Sequence, residues 1–306
     1  MHRYLTVIMK VHVFDFRWSE SEPHQFGCEI QAGRGNKFGR KKLWIGDDIS
    51  IEIASDSRCA GFRDETMKWK PCPKQSVGKP KCDFCRSMEG SFVYTAFDGF
   101  DTSQLNDQDL QKISGEHWVY LAFFANNLIK IGVTKANRKR LRQVEQGSYA
   151  TLYVAKTPDG IAARQIETLI RKGGLADKIK VSQKKDFLCP IVRDPELQLQ
   201  ETLKNARQHL SEHEHLEAFL LENPEYHCWQ TTYNLADFEG TIQNVKLNVG
   251  EWVSGKIIAF KGPFALIQTP YEFVNIAMKS LRGKDINFTA REHGLRLNSA
   301  LQGSLF

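Results

Sequence analysis

The chain has no long apolar run. Its longest uncharged apolar stretch, Trp118 to Ala125, covers eight residues, far below the ~20 that a bilayer-crossing helix needs. A helical membrane span is therefore not expected. A secretory leader is not expected either: MHRYLTVIMKVHVFDFRW is broken by Lys10 and His12 and has no compact apolar core with a small-residue cleavage site. The cysteines lack an even count; there are seven. That argues against an exported disulfide framework and for a reducing cytoplasm with free or metal-bound thiols. Nor is there an internal repeat, a serine triad or a phosphate-binding glycine loop, since Gly33-Arg34-Gly35 lacks the strand-and-helix context of one. Net charge is small, +6 from 42 basic and 36 acidic residues, and as a total it identifies no partner.

What is present is a foldable chain of 306 residues, 41% hydrophobic, with 19 Phe. That is enough for a buried core and about two domains. The expected class is α+β. Residues 1–57 read as a β-rich part, with strands over Tyr4–Trp18, Lys41–Ile45 and Ile49–Ile53 and a basic, glycine-rich tip at 33–42. Residues 58–97 lose periodicity and carry four cysteines, and 98–116 are polar and read as a linker. In 117–190 the alternation is clear: strands at Trp118–Phe124 and Leu128–Val133 around an Asn126-Asn127 turn, then a basic helix at 137–146 closed by Gly147. A strand at Thr151–Ala155 follows, then a helix with Ala162, Ile166, Leu169 and Ile170 on one face, stopped by Gly173-Gly174. Residues 191–228 read as a polar helical connector capped at Asp194-Pro195 and ending at Asn223-Pro224. Residues 229–290 predict short strands at 252–258, 264–269, 273–277 and 285–288, a small barrel or curled sheet, before a tail at 291–306.

Cys59, Cys72, Cys82 and Cys85 lie within 27 residues, spaced C-x12-C-x9-C-x2-C. The Cys82/Cys85 pair can chelate one ion from a tight turn, and two upstream thiolates complete a tetrahedral set that suits zinc. The surrounding Gly, Pro and Lys supply little apolar surface, so the metal would act as a structural staple. A redox dithiol at Cys82 and Cys85 lacks its usual βαβ setting. Cys28, Cys189 and Cys228 read as ordinary buried thiols.

The charge is concentrated. Residues 130–185 hold fourteen Lys or Arg against four acids, an excess of ten, which leaves the rest of the chain at −4. Basic residues recur on three successive elements, and such a footprint suits a phosphodiester backbone, whereas a solvated helix face is the plainer reading. The candidate contacts are Lys135, Arg138, Lys139, Arg142, Arg164, Lys184 and Lys185.

Trp118-Val119-Tyr120, followed by Leu128-Ile129-Lys130-Ile131-Gly132-Val133-Thr134-Lys135-Ala136-Asn137-Arg138-Lys139-Arg140-Leu141, resembles the core of the GIY-YIG nuclease superfamily. It is especially similar to the amino-terminal domain of the excision-repair incision nuclease. The resemblance implies a three-stranded antiparallel sheet with helices and a metal-dependent endonuclease, acting on DNA more than RNA. It implies Tyr120 and Lys130 in proton handling, Arg140 on the scissile phosphate, and Glu167 as the ligand of Mg or Mn. Trp118 replaces the first triplet's Gly, Lys130 replaces the second Tyr, and the superfamily's late Asn has no match. A non-catalytic nucleic-acid-binding adaptor using the same cleft is thus the alternative, and a protein-interaction scaffold a third. The chain also resembles an uncharacterised prokaryotic family, a domain of unknown function. Arg58-Cys59, Pro71-Cys72-Pro73, Val119-Tyr120-Leu121-Ala122, Val144-Glu145-Gln146-Gly147, Pro158-Asp159-Gly160 and Ala163-Arg164-Gln165-Ile166-Glu167 are the matching blocks.

The final residues, Gln302-Gly303-Ser304-Leu305-Phe306, resemble the pentapeptide that docks bacterial replication and repair proteins on the sliding clamp, with Gln302, Leu305 and Phe306 as anchors. The Leu-Phe end folding back onto the protein is the plainer alternative. His209 and His213 at i, i+4 form a weak chelating pair, and His117 reads as a structural histidine or proton carrier.

Overall fold

The structure, a computed structural model, describes residues 9–21, 25–34, 37–64, 68–88, 97–124, 128–175, 179–180, 183–184, 194–288 and 292–297. In chain order the strands are β1 Met9–Ser21, β2 Gln25–Arg34, β3 Lys37–Trp44, β4 Asp48–Ile53, β5 Phe62–Arg63 and β6 Trp69–Lys70. After helices α1 Asp83–Met88 and α2 Asp107–Ile113 come β7 His117–Phe123, β8 Ile129–Lys135, α3 Lys139–Gln146, β9 Ala150–Thr157 and α4 Gly160–Lys172. Then follow α5 Pro195–Arg207, α6 Glu214–Glu217, β10 Leu220–Cys228, β11 Ile242–Val245 and β12 Trp252–Lys261. The last are β13 Phe264–Gln268, β14 Phe273–Ala277, β15 Asp285–Phe288 and β16 Gly294–Arg296. The fold is α+β with strands predominating and several sheets. Among the described residues no helix is long and apolar enough to cross a membrane.

The chain divides into two units, Met1–Gly90 with Asp237–Phe306, and Ser91–Ala236. The first is built on a ten-stranded sheet in the order β11-β14-β13-β12-β4-β15-β1-β2-β3, with β16 also pairing β12. Both ends of the chain are woven into it: β15 lies between β4 and β1. Alternation explains the inner face. In β4 the sequence Asp-Ile-Ser-Ile-Glu-Ile buries its three isoleucines. Leu43 of β3, Ile51 of β4, Val253 of β12 and Ile276 of β14 share one apolar cluster, so the sheet curls around its own core. Trp18 crosses that curl, donating its indole N–H to the Gly262 carbonyl at 3.0 Å.

The second unit holds a four-stranded antiparallel sheet, β10-β9-β7-β8. The three-stranded expectation is corrected here, because Leu220–Cys228 joins as an edge strand rather than ending a helix. Its pairing with β9 is interrupted between Leu220 and Glu225, where Asn223-Pro224 takes two residues out of the ladder. One face of β7 (Val119, Leu121, Phe123) packs on α4 and α5 through Ile166, Leu169, Leu199 and Leu203. The other (Trp118, Tyr120, Ala122) packs with Tyr153 of β9, whose hydroxyl donates to the Lys139 carbonyl of α3 at 2.8 Å. Asp159 and Asp194 cap α4 and α5 by accepting from Ala162 N and Glu196 N. The polar stretch expected as a linker contains α2, and it docks: Phe97 and Ile113 bury against each other with Ile161 of α4 alongside. Carbonyls of Phe97 and Asp98 accept from Arg164 and Thr168.

Candidate functional site

Two buried clusters carry chemistry, one in each unit. In the first unit, Cys59, Cys72, Cys82 and Cys85 converge with all four sulfurs within 4.8 Å of one another. Cys72 and Cys82 are 3.7 Å apart. Four sulfurs placed ~2.3 Å from a central ion would be about 3.8 Å apart, which the Cys72–Cys82 distance matches. The four cysteines are therefore close enough to hold a metal such as zinc.

Local sequence explains the convergence. Cys59 and Cys72 flank the β5–β6 hairpin, and Cys82 and Cys85 sit just before and inside the first turn of α1. Gly61 has φ +84°, and a side chain there would strike the Lys70 carbonyl, so only glycine allows the chain to turn beside Cys59. Amides of Gly61 and Cys82 donate to Cys59 Sγ at 3.5 and 3.2 Å. Burial pushes the Cys59 thiol up. For Cys72, burial is outweighed by the amides of Ser76 and Lys74 and by the Cys59 and Cys85 sulfurs, which bring it down to about 7. Burial and the three other sulfurs push Cys85 far up. Four thiols this close cannot all ionise without a cation among them. Cys28 is buried in the core, Cys228 is exposed rather than buried, and Cys189 lies outside the described residues.

In the second unit, Tyr120, Lys130, Arg142 and Gln146 meet on one face of the sheet, and Glu167 of α4 stands close enough to act on them electrostatically. Antiparallel pairing sets Tyr120 opposite Gly132, and Ala122 opposite Lys130, so the Tyr120 and Lys130 side chains project from the same face. A methyl on Gly132 would come within 2.6 Å of Tyr120 Oη; the absent side chain is what lets the phenol lie across β8. The Gln146 side-chain oxygen accepts from Tyr120 Oη at 3.0 Å and from Arg142 Nε and Nη2 at 3.1 and 3.3 Å. Lys130 Nζ lies 3.4 Å from the other end of the same amide, which in this orientation is the NH2 group, so the contact is not a hydrogen bond. Burial raises the Tyr120 phenol above its ordinary value and the Glu167 charge adds to this, against the opposing pull of Arg142. The phenol therefore stays protonated at neutral pH.

Glu167 is ion-paired with Arg164, one turn back on α4, and the two side chains are only 13% and 12% exposed. Arg164 is itself held by the Phe97 carbonyl, to which Nε and Nη2 donate at 2.8 and 2.5 Å. Burial raises the Glu167 carboxyl above its ordinary value, and Arg164, Lys130 and Arg171 oppose this in that order.

Arg140, matched by resemblance to the phosphate-contacting arginine, is not in this cluster. It lies 5.9 Å over the Trp229 ring, and the guanidinium beside Tyr120 is that of Arg142. The other basic candidates are partly committed. Lys139 lies 3.3 Å over the Trp118 ring and 2.5 Å from Glu225 Oε2. Lys184 donates to the Gln146 carbonyl at 3.0 Å. Arg138, just before α3, pairs with Glu145 at 2.6 Å and stays exposed, Arg142 approaches the same carboxylate at 3.7 Å and is half-buried, and Lys135 is half-buried. Lys185 and the tail anchors Gln302, Leu305 and Phe306 lie outside the described residues. His117 is buried, its Nδ1 2.7 Å from the Gly115 carbonyl, which is a structural arrangement. Among the described residues the four cysteines are the one group of three or more His, Cys, Asp or Glu that could hold a metal, and His209 and His213 are not part of one. Gln146, which joins Tyr120 to Arg142, was missed by sequence reasoning; its signal is the i, i+4 spacing from Arg142 on a short helix.

No curated protein and no solved structure matches the chain. The profile of one family, described as Protein of unknown function (DUF2797), matches residues 46–285. That span takes in both buried clusters and starts after β3. Since it covers well over half of the molecule, the chain belongs to this family.

Proposed function

We propose that the protein binds nucleic acid through the basic surface of its second unit without cutting it, and that the four cysteines hold zinc as a structural staple. A closed set of four thiolates leaves no open coordination position for substrate, which supports the structural role. For the second unit, the order β7, β8, α3, β9, α4 supports a degenerate GIY-YIG-like core. The observation that carries the non-cutting reading is the Glu167–Arg164 pair. The carboxylate matched to the Mg or Mn ligand is buried and already neutralised by a guanidinium anchored to the backbone. A carboxylate engaged in that buried pair would have to leave Arg164 before it could ligate Mg or Mn. Tyr120 is likewise a buried, protonated phenol tied to Gln146, poorly placed to take a proton from water. Phosphates would instead meet the exposed Arg138 and Arg140 at the start of α3, which lies on the basic span.

The second reading, a metal-dependent phosphodiesterase, is favoured by the nearness of Tyr120, Lys130 and Glu167 to one another beside Gly132. One experiment separates the two. DNA and RNA substrates, single-stranded, duplex and branched, are incubated with the full chain and Mg or Mn, comparing wild type with Glu167→Gln. Binding that weakens steeply with salt, without cleavage, is expected. Combined Arg138→Glu and Arg140→Glu should lower affinity at least about tenfold and flatten the salt dependence. Cleavage that requires Glu167 overturns the binding-only reading. We also propose that Gln302, Leu305 and Phe306 dock on the sliding clamp. Deleting Leu305 and Phe306 should abolish clamp pull-down, and an unchanged pull-down discards the idea.

A further inference from the structure

The first unit carries a second candidate surface, on the outer face of β1–β3. Between Val13 and Asp15 the pairing of β1 with β2 slips by one residue, and the extra residue is Phe14. This bulge re-aims the ring away from the core. Trp69 of β6 stacks on it, with ring centroids 5.4 Å apart and planes at 28°. Phe38 of β3 leans on its other side at 5.3 Å and is itself 49% exposed. The hairpin that delivers Trp69 is the one flanked by Cys59 and Cys72, so the thiol centre fixes one wall of the resulting groove.

The groove encloses about 380 Å³. Among the described residues that line it, four are cations, Arg40, Arg63, Lys68 and Lys70, and none is an acid. Arg63 forms part of the floor, held by Asp15 at 3.2 Å and Gln31 at 2.5 Å and lying 5.4 Å over the Trp69 ring. Arg40 and Lys70 stand on the rim with side chains 71% and 52% exposed. Lys70 pairs with Asp64 at 3.4 Å, and Arg40 approaches the buried Glu29 carboxylate at 3.8 Å, too far for a tight pair; both cations keep most of their surface towards solvent, where another anion can reach them. A second cavity of about 530 Å³ shares Phe14 and Phe38 with the first and adds Lys10 and Arg58, together with Asp285, to which Arg58 is paired at 3.0 Å and Lys10 more loosely at 3.7 Å. Two adjoining cavities with a common aromatic divider form a track, which suits a linear polyanion better than a single small molecule.

We propose that this track binds single-stranded nucleic acid, a base stacking on the open face of Phe38 and phosphates running past Arg40, Lys68 and Lys70 towards Lys10 and Arg58. Aromatic platforms within a basic groove are how single strands are held without sequence preference. A duplex keeps its base faces covered and gains nothing from Phe38. The site is separate from the α3 surface of the second unit, and half of it, Phe14, Phe38 and Arg40, precedes the residues matched by the family.

The test is fluorescence anisotropy of the full, zinc-loaded chain with a labelled oligothymidylate and with a duplex of the same length. Phe38→Ala should weaken single-strand binding about tenfold with little change in duplex binding, and Phe38→Trp should restore it. Combined Arg40→Glu, Lys68→Glu and Lys70→Glu should weaken it further and lower the slope against log salt. All of these side chains except Phe38 are polar surface groups, so the fold should survive. Oligothymidylate affinity unchanged by both sets of variants overturns the proposal. So does displacement by polyglutamate as effective as by oligothymidylate, which would point to an acidic peptide. If only Arg138→Glu with Arg140→Glu weakens binding, the track is wrong and the second-unit reading stands. If only the groove variants do, the reverse holds.

Discussion

The two buried clusters are opposite kinds of object. In the second unit acids are met from within: Glu167 by Arg164, Glu225 by Lys139, Glu145 by Arg138. In the first unit four sulfurs face one another, and Phe62 is the apolar residue packed against them. The first pattern is a finished structure, and it costs energy to disturb. The second is a set of like donors that could hold a metal such as zinc, and binding one would stabilise it. A cluster of catalytic-looking residues is thus more telling for what its partners leave free than for the residue types it gathers.

Altering the four-cysteine cluster should have the largest effect if it holds zinc as proposed. Binding of structural zinc contributes on the order of 10 kcal/mol, so Cys85→Ser or chelation should unfold the segment around residues 58–88. Metal content by mass spectrometry and proteolysis within that segment check this. One equivalent of zinc retained by Cys85→Ser would break the contrast. Next comes the complete cluster. Arg164→Met strands Glu167 as an unpaired buried carboxylate and should cost about 3 kcal/mol in urea unfolding, most of it recovered in the Arg164→Met, Glu167→Met double variant. Equal losses for single and double variants would show that the pair is incidental.

Smaller again is Gly132→Ala. Its methyl must displace the Tyr120 phenol, for about 2 kcal/mol of overpacking, and a stability within error of wild type would refute that close approach. The smallest effect concerns pH. Burial holds the His117 imidazole below its ordinary value, against the Gly115 carbonyl that favours protonation. The unfolded chain then binds the proton more readily than the folded one. The stability this contributes is full above pH ~6.5 and is lost as pH falls below it. His117→Asn should flatten the difference between urea midpoints at pH 7.5 and pH 5.5, and an unchanged difference assigns the slope to other groups.

Much of this is legible in the order of residues alone. Alternation locates β7 and β8, the Asp159 and Asp194 caps locate α4 and α5, and C-x2-C spacing locates half of the thiol centre. What is not legible depends on distant partners. β10 carries Asn-Pro in its middle and reads as a helix end until β9 lies beside it. Arg140 and Arg142 differ by about half a helical turn, and which of them meets Tyr120 is settled by how α3 lies on the sheet. Glu167 looks available in the sequence because its neutralising partner, Arg164, depends in turn on the Phe97 carbonyl some seventy residues upstream. The aromatic track is hidden in a one-residue slip of β1, which no periodicity registers.

The position of β15 between β4 and β1 has a consequence for biogenesis. A ribosome delivers β1 to β4 early, but the strand that joins them leaves the exit tunnel only after the whole second unit has been made. The first unit is therefore a clasp that shuts last. Until then its strand edges are open to wrong pairing, and the early-made thiol segment, if it captures its ion at once, is the piece best able to keep that half of the clasp in order.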